Sequence, residues 1–187
     1  MYEVELKLRA DHDDARERLA ALDAEELGDV AQADTYYDAP HRDFAETDEA
    51  LRIRRERRTD AVADGDAAET AKVTYKGPLV ENESKTREEF ETGVDDGETM
   101  SSVFDGLGFE PAAVVEKQRE YFRVDEYTVV LDDVAGLGEF VEIEREAKES
   151  ELEAVRDGAV AVLRELGLDP DEQIRTSYLG LLFEKRE

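Results

Sequence analysis

The sequence predicts an α+β fold, a barrel or strongly curved antiparallel sheet with helices on its outer side. Three observations point there. Eight short stretches carry the charged or apolar patterning of strands. Only four stretches read as helix, and they interrupt runs of strands instead of alternating with each one. Turn residues separate successive strands closely enough for antiparallel neighbours. No internal repeat is present, and 187 residues are expected to form one domain over 1–187.

Residues 2–9 alternate and read as the first strand. Residues 11–23 follow as a helix, with Asp11 as N-cap and Ala15, Leu19 and Leu22 at helical spacing. A strand over 29–38 ends in Thr35-Tyr36-Tyr37-Asp38, and Ala39-Pro40 turns the chain. Residues 50–57 form the next strand. The acidic, apolar-poor stretch 59–70 reads as an exposed hairpin loop. Strands are predicted at 71–77 and 85–93, divided by Gly77-Pro78, and a short helix at 97–107. Three strands follow near 113–124, 127–134 and 138–146, turning at Asp125-Glu126 and at Gly136-Leu137-Gly138. A helix over 150–166 stops at Gly167, and a helical segment over 176–185 closes the chain.

Composition excludes several function classes. Asp and Glu number 51 against 24 Lys and Arg, a net charge of −27. Such a chain is repelled by nucleic acid and by anionic membranes, so neither is an expected partner. No cysteine is present, which removes disulfides, thiolate metal sites and Cys nucleophiles. Two histidines make His-based catalysis a poor premise. No apolar run reaches the roughly 20 residues of a membrane helix, and the charged start is not that of a signal peptide. A cytoplasmic location is expected. Acids spread over the whole chain, with few lysines, fit a salt-loaded cytoplasm, where molar salt shortens the Debye length to about 3 Å.

The strands carry the informative pattern. On the first, Glu3, Glu5, Lys7 and Arg9 share one face and Val4, Leu6 and Leu8 the other. Arg52 and Arg54 oppose Leu51 and Ile53. Lys72, Thr74 and Lys76 oppose Val73 and Tyr75. Arg87, Glu89 and Glu91 share a face, as do Lys117 and Arg119, and Glu142 and Glu144 oppose Val141 and Ile143. A half-exposed sheet explains any one strand. The set is different, because seven bases (Lys7, Arg52, Arg54, Lys76, Arg87, Lys117 and Arg119) concentrate on these faces of a very acidic chain. If the faces meet inside a barrel, unpaired buried charge is costly. A polyanion with divalent cations satisfies both signs at once, since carboxylates bind the cations and Arg and Lys bind phosphate oxygens.

At this point the chain resembles the CYTH superfamily, the triphosphate tunnel metalloenzymes, and within it the class IV adenylate cyclase-like group. Glu3-Val4-Glu5-Leu6-Lys7 fits the ExExK signature. Thr35-Tyr36-Tyr37-Asp38, Leu51-Arg52-Ile53-Arg54, Thr74-Tyr75-Lys76-Gly77-Pro78, Arg87 with Glu89 and Glu91, Lys117-Gln118-Arg119, Leu131-Asp132-Asp133-Val134, Gly136 to Glu144 and Ser177-Tyr178-Leu179 follow in order. The resemblance implies an antiparallel eight-stranded tunnel with a charged interior and helices packed outside. It also implies Glu3, Glu5, Glu142 and Glu144 as ligands of one or two Mg²⁺ (or Mn²⁺), with Asp132 as a further candidate. The seven bases would cradle the triphosphate. Glu5, Lys7, Asp132 and Glu142 would stand nearest the chemistry, and no general base is assigned.

The activity implied is conversion of ATP to 3′,5′-cyclic AMP and pyrophosphate. Two alternatives stay open: a tunnel triphosphatase acting on inorganic, thiamine or nucleoside triphosphate, and a non-catalytic polyphosphate-binding module. The cyclase relatives imply a homodimer. Other residues are read blandly. His12 and His41 are expected in solvent. Phe104, Leu107, Leu163, Leu166, Leu181 and Leu182 are expected in packing faces, and Tyr178 as an aromatic that docks a helix.

Overall fold

The computed structural model describes residues 2–59, 68–80 and 84–186. Eight strands close into one antiparallel barrel in the order β1-β5-β4-β3-β2-β6-β7-β8. They are β1 (Tyr2–Arg9), β2 (Glu25–Asp38), β3 (Ala50–Arg58), β4 (Thr70–Leu79), β5 (Arg87–Val94), β6 (Glu110–Val124), β7 (Tyr127–Val134) and β8 (Gly138–Ala147). The helices are α1 (His12–Ala21), α2 (Phe44–Thr47), α3 (Gly97–Gly106), α4 (Leu152–Glu165) and α5 (Tyr178–Arg186). The expected fold class is what is found: a closed eight-stranded barrel with helices outside.

The apolar strand faces point outward, toward the helices. Val4, Leu6 and Leu8 of β1, Val129 and Leu131 of β7, and Val141 and Ile143 of β8 pack under Ala15 and Leu19 of α1 and Val155, Ala159, Val162 and Leu163 of α4. The α4 positions recur every three or four residues, which gives the helix one continuous apolar stripe. Gly158 is required there, because a Cβ would lie 1.9 Å from the Tyr127 hydroxyl. That hydroxyl donates to the Val155 carbonyl. On the other side, Phe104 of α3 packs on Tyr37 and Ile53. Near α5, Tyr178 packs on Val115, Val134 and Phe140.

Several boundaries differ from the sequence reading. β2 starts at Glu25, ahead of residue 29, and a register shift between Glu26 and Gly28 absorbs the extra length; Gly28 takes φ 118°, open to glycine without strain. β4 runs through Gly77-Pro78 to Leu79, with its register shift at that pair. Proline is tolerated at a bulge, where no ladder hydrogen bond is needed. The four-residue α2 was not predicted. It is set by Asp43, whose carboxylate accepts from the Ala45 and Glu46 amides. The expected helix over 150–166 opens as a 3₁₀ turn at Glu149–Glu151. Of the loop read over 59–70, residues 60–67 lie outside the described residues.

Two residue expectations are corrected. His12 is buried, not solvated. Its amide donates to Glu139 Oε2 and its Nε2 donates to the Phe140 carbonyl, each at 3.0 Å, so the ring ties α1 to β8. Leu107 caps α3 and stays exposed.

Candidate active site

Strand pairing determines which charges meet inside. β1 pairs with β8 so that Glu5 stands across from Glu144 and Lys7 across from Glu142. β2 and β3 oppose Asp34 and Arg54. β6 and β7 oppose Arg119 and Asp132. Lys7, Asp34 and Asp132 are at most 1% exposed, and Glu5, Arg52, Arg54, Lys117, Arg119 and Glu142 are also buried.

Two buried ionic nodes brace the wall. In one, Arg54 donates to both oxygens of Asp34, at 2.6 and 2.7 Å, and Arg52 Nη1 donates to Asp34 Oδ2 at 3.1 Å. In the other, Arg119 donates to both oxygens of Asp132, at 2.6 and 2.5 Å, and Nη2 also donates to Glu142 Oε2 at 2.6 Å. Lys117 Nζ and the Tyr178 hydroxyl both donate to Asp132 Oδ2, at 3.3 and 2.9 Å. Burial alone would raise both aspartates; the facing guanidinium groups win and hold them well below the usual carboxylate range.

The carboxylates of Glu5, Glu142 and Glu144 converge, with one oxygen of each within 4.8 Å of the others. Burial favours the neutral form of Glu142, but Arg119 overrides it and holds the group at about 2. Glu144 is raised well above the ordinary value by burial and by Glu3, Glu142 and Glu5 around it, despite Arg119. Three hard oxygen donors under mutual repulsion fit a divalent cation such as Mg²⁺ or Mn²⁺. Glu3 lies beside this group with an oxygen 3.4 Å from Lys76 Nζ. Lys76 also donates to Glu89, whose carboxyl is raised to about 7 by burial, against Lys76. Asp132, expected among the ligands, has both oxygens occupied by Arg119, Lys117 and Tyr178.

Around the carboxylates lie the bases. Burial and the nearby Lys85 ammonium push Lys7 down to about 7. Burial, with Arg119 alongside, pushes Lys117 to about 8. Arg87 is held toward the mouth, donating to the Gly77 and Asp48 carbonyls. All seven predicted bases line one cavity of about 560 Å³, as do Glu3, Glu5, Glu142 and Glu144. Part of its wall is apolar or aromatic, with Tyr36, Phe44, Leu51, Leu179 and Phe183. Tyr178 docks α5, as expected, and is also part of the site. Its ring lies 4.3 Å from Lys7 Nζ and 5.1 Å from Lys117 Nζ.

Two site residues escaped the sequence reading. Asp34 sits between Gln32 and Tyr36 on one face of a predicted strand, and that alternation was its signal. Lys85 Nζ donates to Glu5 Oε1 at 2.6 Å; the strand predicted over 85–93 starts only at Arg87, and the odd-numbered spacing of Lys85 with Arg87 and Glu89 in that prediction was its signal.

The CYTH domain model matches residues 1–178. A Methanocaldococcus jannaschii protein named "Putative adenylate cyclase MJ0240" is 38% identical over 183 residues, 97% of this chain and 98% of that one. The PH1819 protein of Pyrococcus horikoshii OT3 has a similar structure, with a TM-score of 0.88, 39% identity, and coverage of 98% of this chain and 99% of that one. HpAC1 of Hippeastrum, whose structure is reported with a dominant triphosphatase activity, shares the fold at a TM-score of 0.68 and 21% identity, covering 98% and 95%.

Proposed function

Because the chain belongs to the CYTH domain family, we propose that it is a divalent-metal-dependent enzyme acting on a triphosphate, and that its substrate is ATP, converted to 3′,5′-cyclic AMP and pyrophosphate. The observation that carries the reading is the convergence of Glu5, Glu142 and Glu144 in one cavity that all seven predicted bases and Lys85 also line. A triphosphate with its metals supplies the charges that this lining lacks.

Glu5, Glu142 and Glu144 would hold Mg²⁺ or Mn²⁺, with Glu3 close enough to join. When bound, the metal draws electron density from the phosphoryl oxygens and lowers the pKa of an attacking hydroxyl. Arg52, Arg54, Lys76, Lys117 and Arg119 bind and orient the phosphates, and Arg87 stands at the mouth. Asp34 and Asp132 act through these bases, presenting them in fixed directions. In the cyclase reaction the ribose 3′-oxygen attacks the α-phosphorus in line, its proton passes to solvent water, and the bond from the α-phosphorus to the oxygen bridging to the β-phosphate breaks to release pyrophosphate. Charge stabilisation and positioning are most of what such a transfer requires.

The cyclase is favoured over a triphosphatase by the name of the 38% identical relative. The apolar part of the wall favours a substrate with an organic group over inorganic triphosphate. The fold alone does not choose, since HpAC1 shares it with a dominant triphosphatase activity. A non-catalytic binder would not need the carboxylate group.

Product analysis tests the reading. The purified protein is incubated with Mg²⁺ or Mn²⁺ in molar KCl, separately with ATP and with inorganic triphosphate. Cyclic AMP with equimolar pyrophosphate is expected from ATP. Orthophosphate without cyclic AMP would make the protein a triphosphatase, and tight binding without turnover would make it a binding module.

A further inference from the structure

Lys85 stands off the strands that supply the other bases, on the connection between β4 and β5. Its backbone is pinned: the Lys85 amide donates to the Glu5 carbonyl at 3.1 Å and the Val80 amide to the Thr86 carbonyl at 2.9 Å. Ser84 and Thr86 are fully buried on either side, their hydroxyls 2.5 Å apart. From this anchor the side chain reaches into the cavity and puts its ammonium 2.6 Å from Glu5 Oε1.

Glu5 is one of the three converging carboxylates. A magnesium ion bonds its oxygens at about 2.0–2.1 Å, so an ammonium 2.6 Å from Glu5 competes with such an ion for the same carboxylate. Two positive charges that close repel strongly in a poorly solvated site. Arg119 contacts Glu142 and Glu144, and it is also clamped by Asp132. Lys85 is different. Its four-carbon stem can carry the ammonium several ångströms while the backbone stays fixed, and the same cavity is where phosphate oxygens would lie.

We infer that Lys85 is an exchangeable internal cation, which neutralises Glu5 in the metal-free protein and moves from Glu5 to a phosphate oxygen when a divalent metal takes its place. The inference rests on the metal reading of Glu5, Glu142 and Glu144. It makes metal entry and triphosphate capture cooperative, because the displaced ammonium needs a new anion. Lys85 is therefore a positioning residue for the metal as well as a phosphate ligand.

Manganese binding without substrate tests it, followed by the electron paramagnetic resonance signal of free Mn²⁺. With the competitor removed, Lys85→Met should bind Mn²⁺ at least about tenfold more tightly than the wild type, while Lys85→Arg, which keeps the charge, should stay near the wild type. Lys85→Gln serves if the methionine variant fails to fold, and melting in EDTA checks all of them. Unchanged or weaker binding in Lys85→Met, with binding lost in Glu142→Gln, overturns the exchange and leaves the metal site standing. Unchanged binding in Glu142→Gln overturns the metal site and the exchange with it.

Discussion

At the scale of single residues, the bore separates side chains by what they would do when changed. Glu142 is one of the three converging carboxylates of the proposed metal site, but its partner Arg119 keeps Asp132 if Glu142 is neutralised. Glu142→Gln should therefore lower metal-dependent turnover by more than about 100-fold while costing stability only about 1 kcal/mol; unchanged kcat would remove Glu142 from the metal site. Arg54 is a different case. It holds the buried Asp34 with two hydrogen bonds, so Arg54→Ala strands a buried carboxylate on Arg52 alone. About 3 kcal/mol of stability should be lost along with triphosphate affinity. Denaturant unfolding measures this, and a loss below about 1 kcal/mol would contradict the Asp34 node. Charged alternation made the bases and glutamates legible in sequence. Asp34 was less so, because its strand was read from its aromatic end, and nothing local announces that an aspartate will anchor two arginines from the neighbouring strand. The burial of His12 depends on where the first helix meets the eighth strand, which no local pattern encodes.

At the scale of elements, the strands were legible because their two faces differ so sharply. The start of β2 and the end of β4 were harder. Glu25 to Gly28 lacks alternation, and Gly77-Pro78 resembles a turn, yet bulges carry both strands through. Helices α1 and α4 owe their seats to the outer faces of β1, β7 and β8. Gly158 lets α4 settle over Tyr127, and Gly158→Ala forces a methyl group into the Tyr127 hydroxyl. A loss of about 1–3 kcal/mol is expected, with the Tyr127 hydrogen bond to Val155 displaced. An unchanged melting temperature would mean that α4 can shift without cost.

At the scale of the whole molecule, two electrostatic regimes coexist. Inside, Asp34, Asp132 and Glu142 all ionise below their unfolded values. Their contribution is complete above about pH 4, the unfolded carboxylate range, and is lost as pH falls through the folded values, about 2 for Glu142. The melting temperature should drop between pH 4 and pH 2; a flat profile there would mean that these pairs add nothing. Outside, a net charge of −27 repels itself and is screened by salt. Raising KCl from 0.1 to 3 M should raise the melting temperature, and a constant value would reject a fold suited to high salt.

The pairing of β1 with β8 has a consequence for how the chain acquires its activity. β1 pairs on one edge with β8, the strand most distant from it in sequence order, and on the other with β5. Contacts so remote along the chain form late and slowly in folding. Glu5 comes from one side of that seam and Glu142 and Glu144 from the other, so a chain with the two strands unpaired does not bring the three carboxylates together. If these carboxylates hold the metal, a refolding sample should take up Mn²⁺ no faster than β1 pairs with β8, and uptake ahead of that pairing would separate the site from the seam.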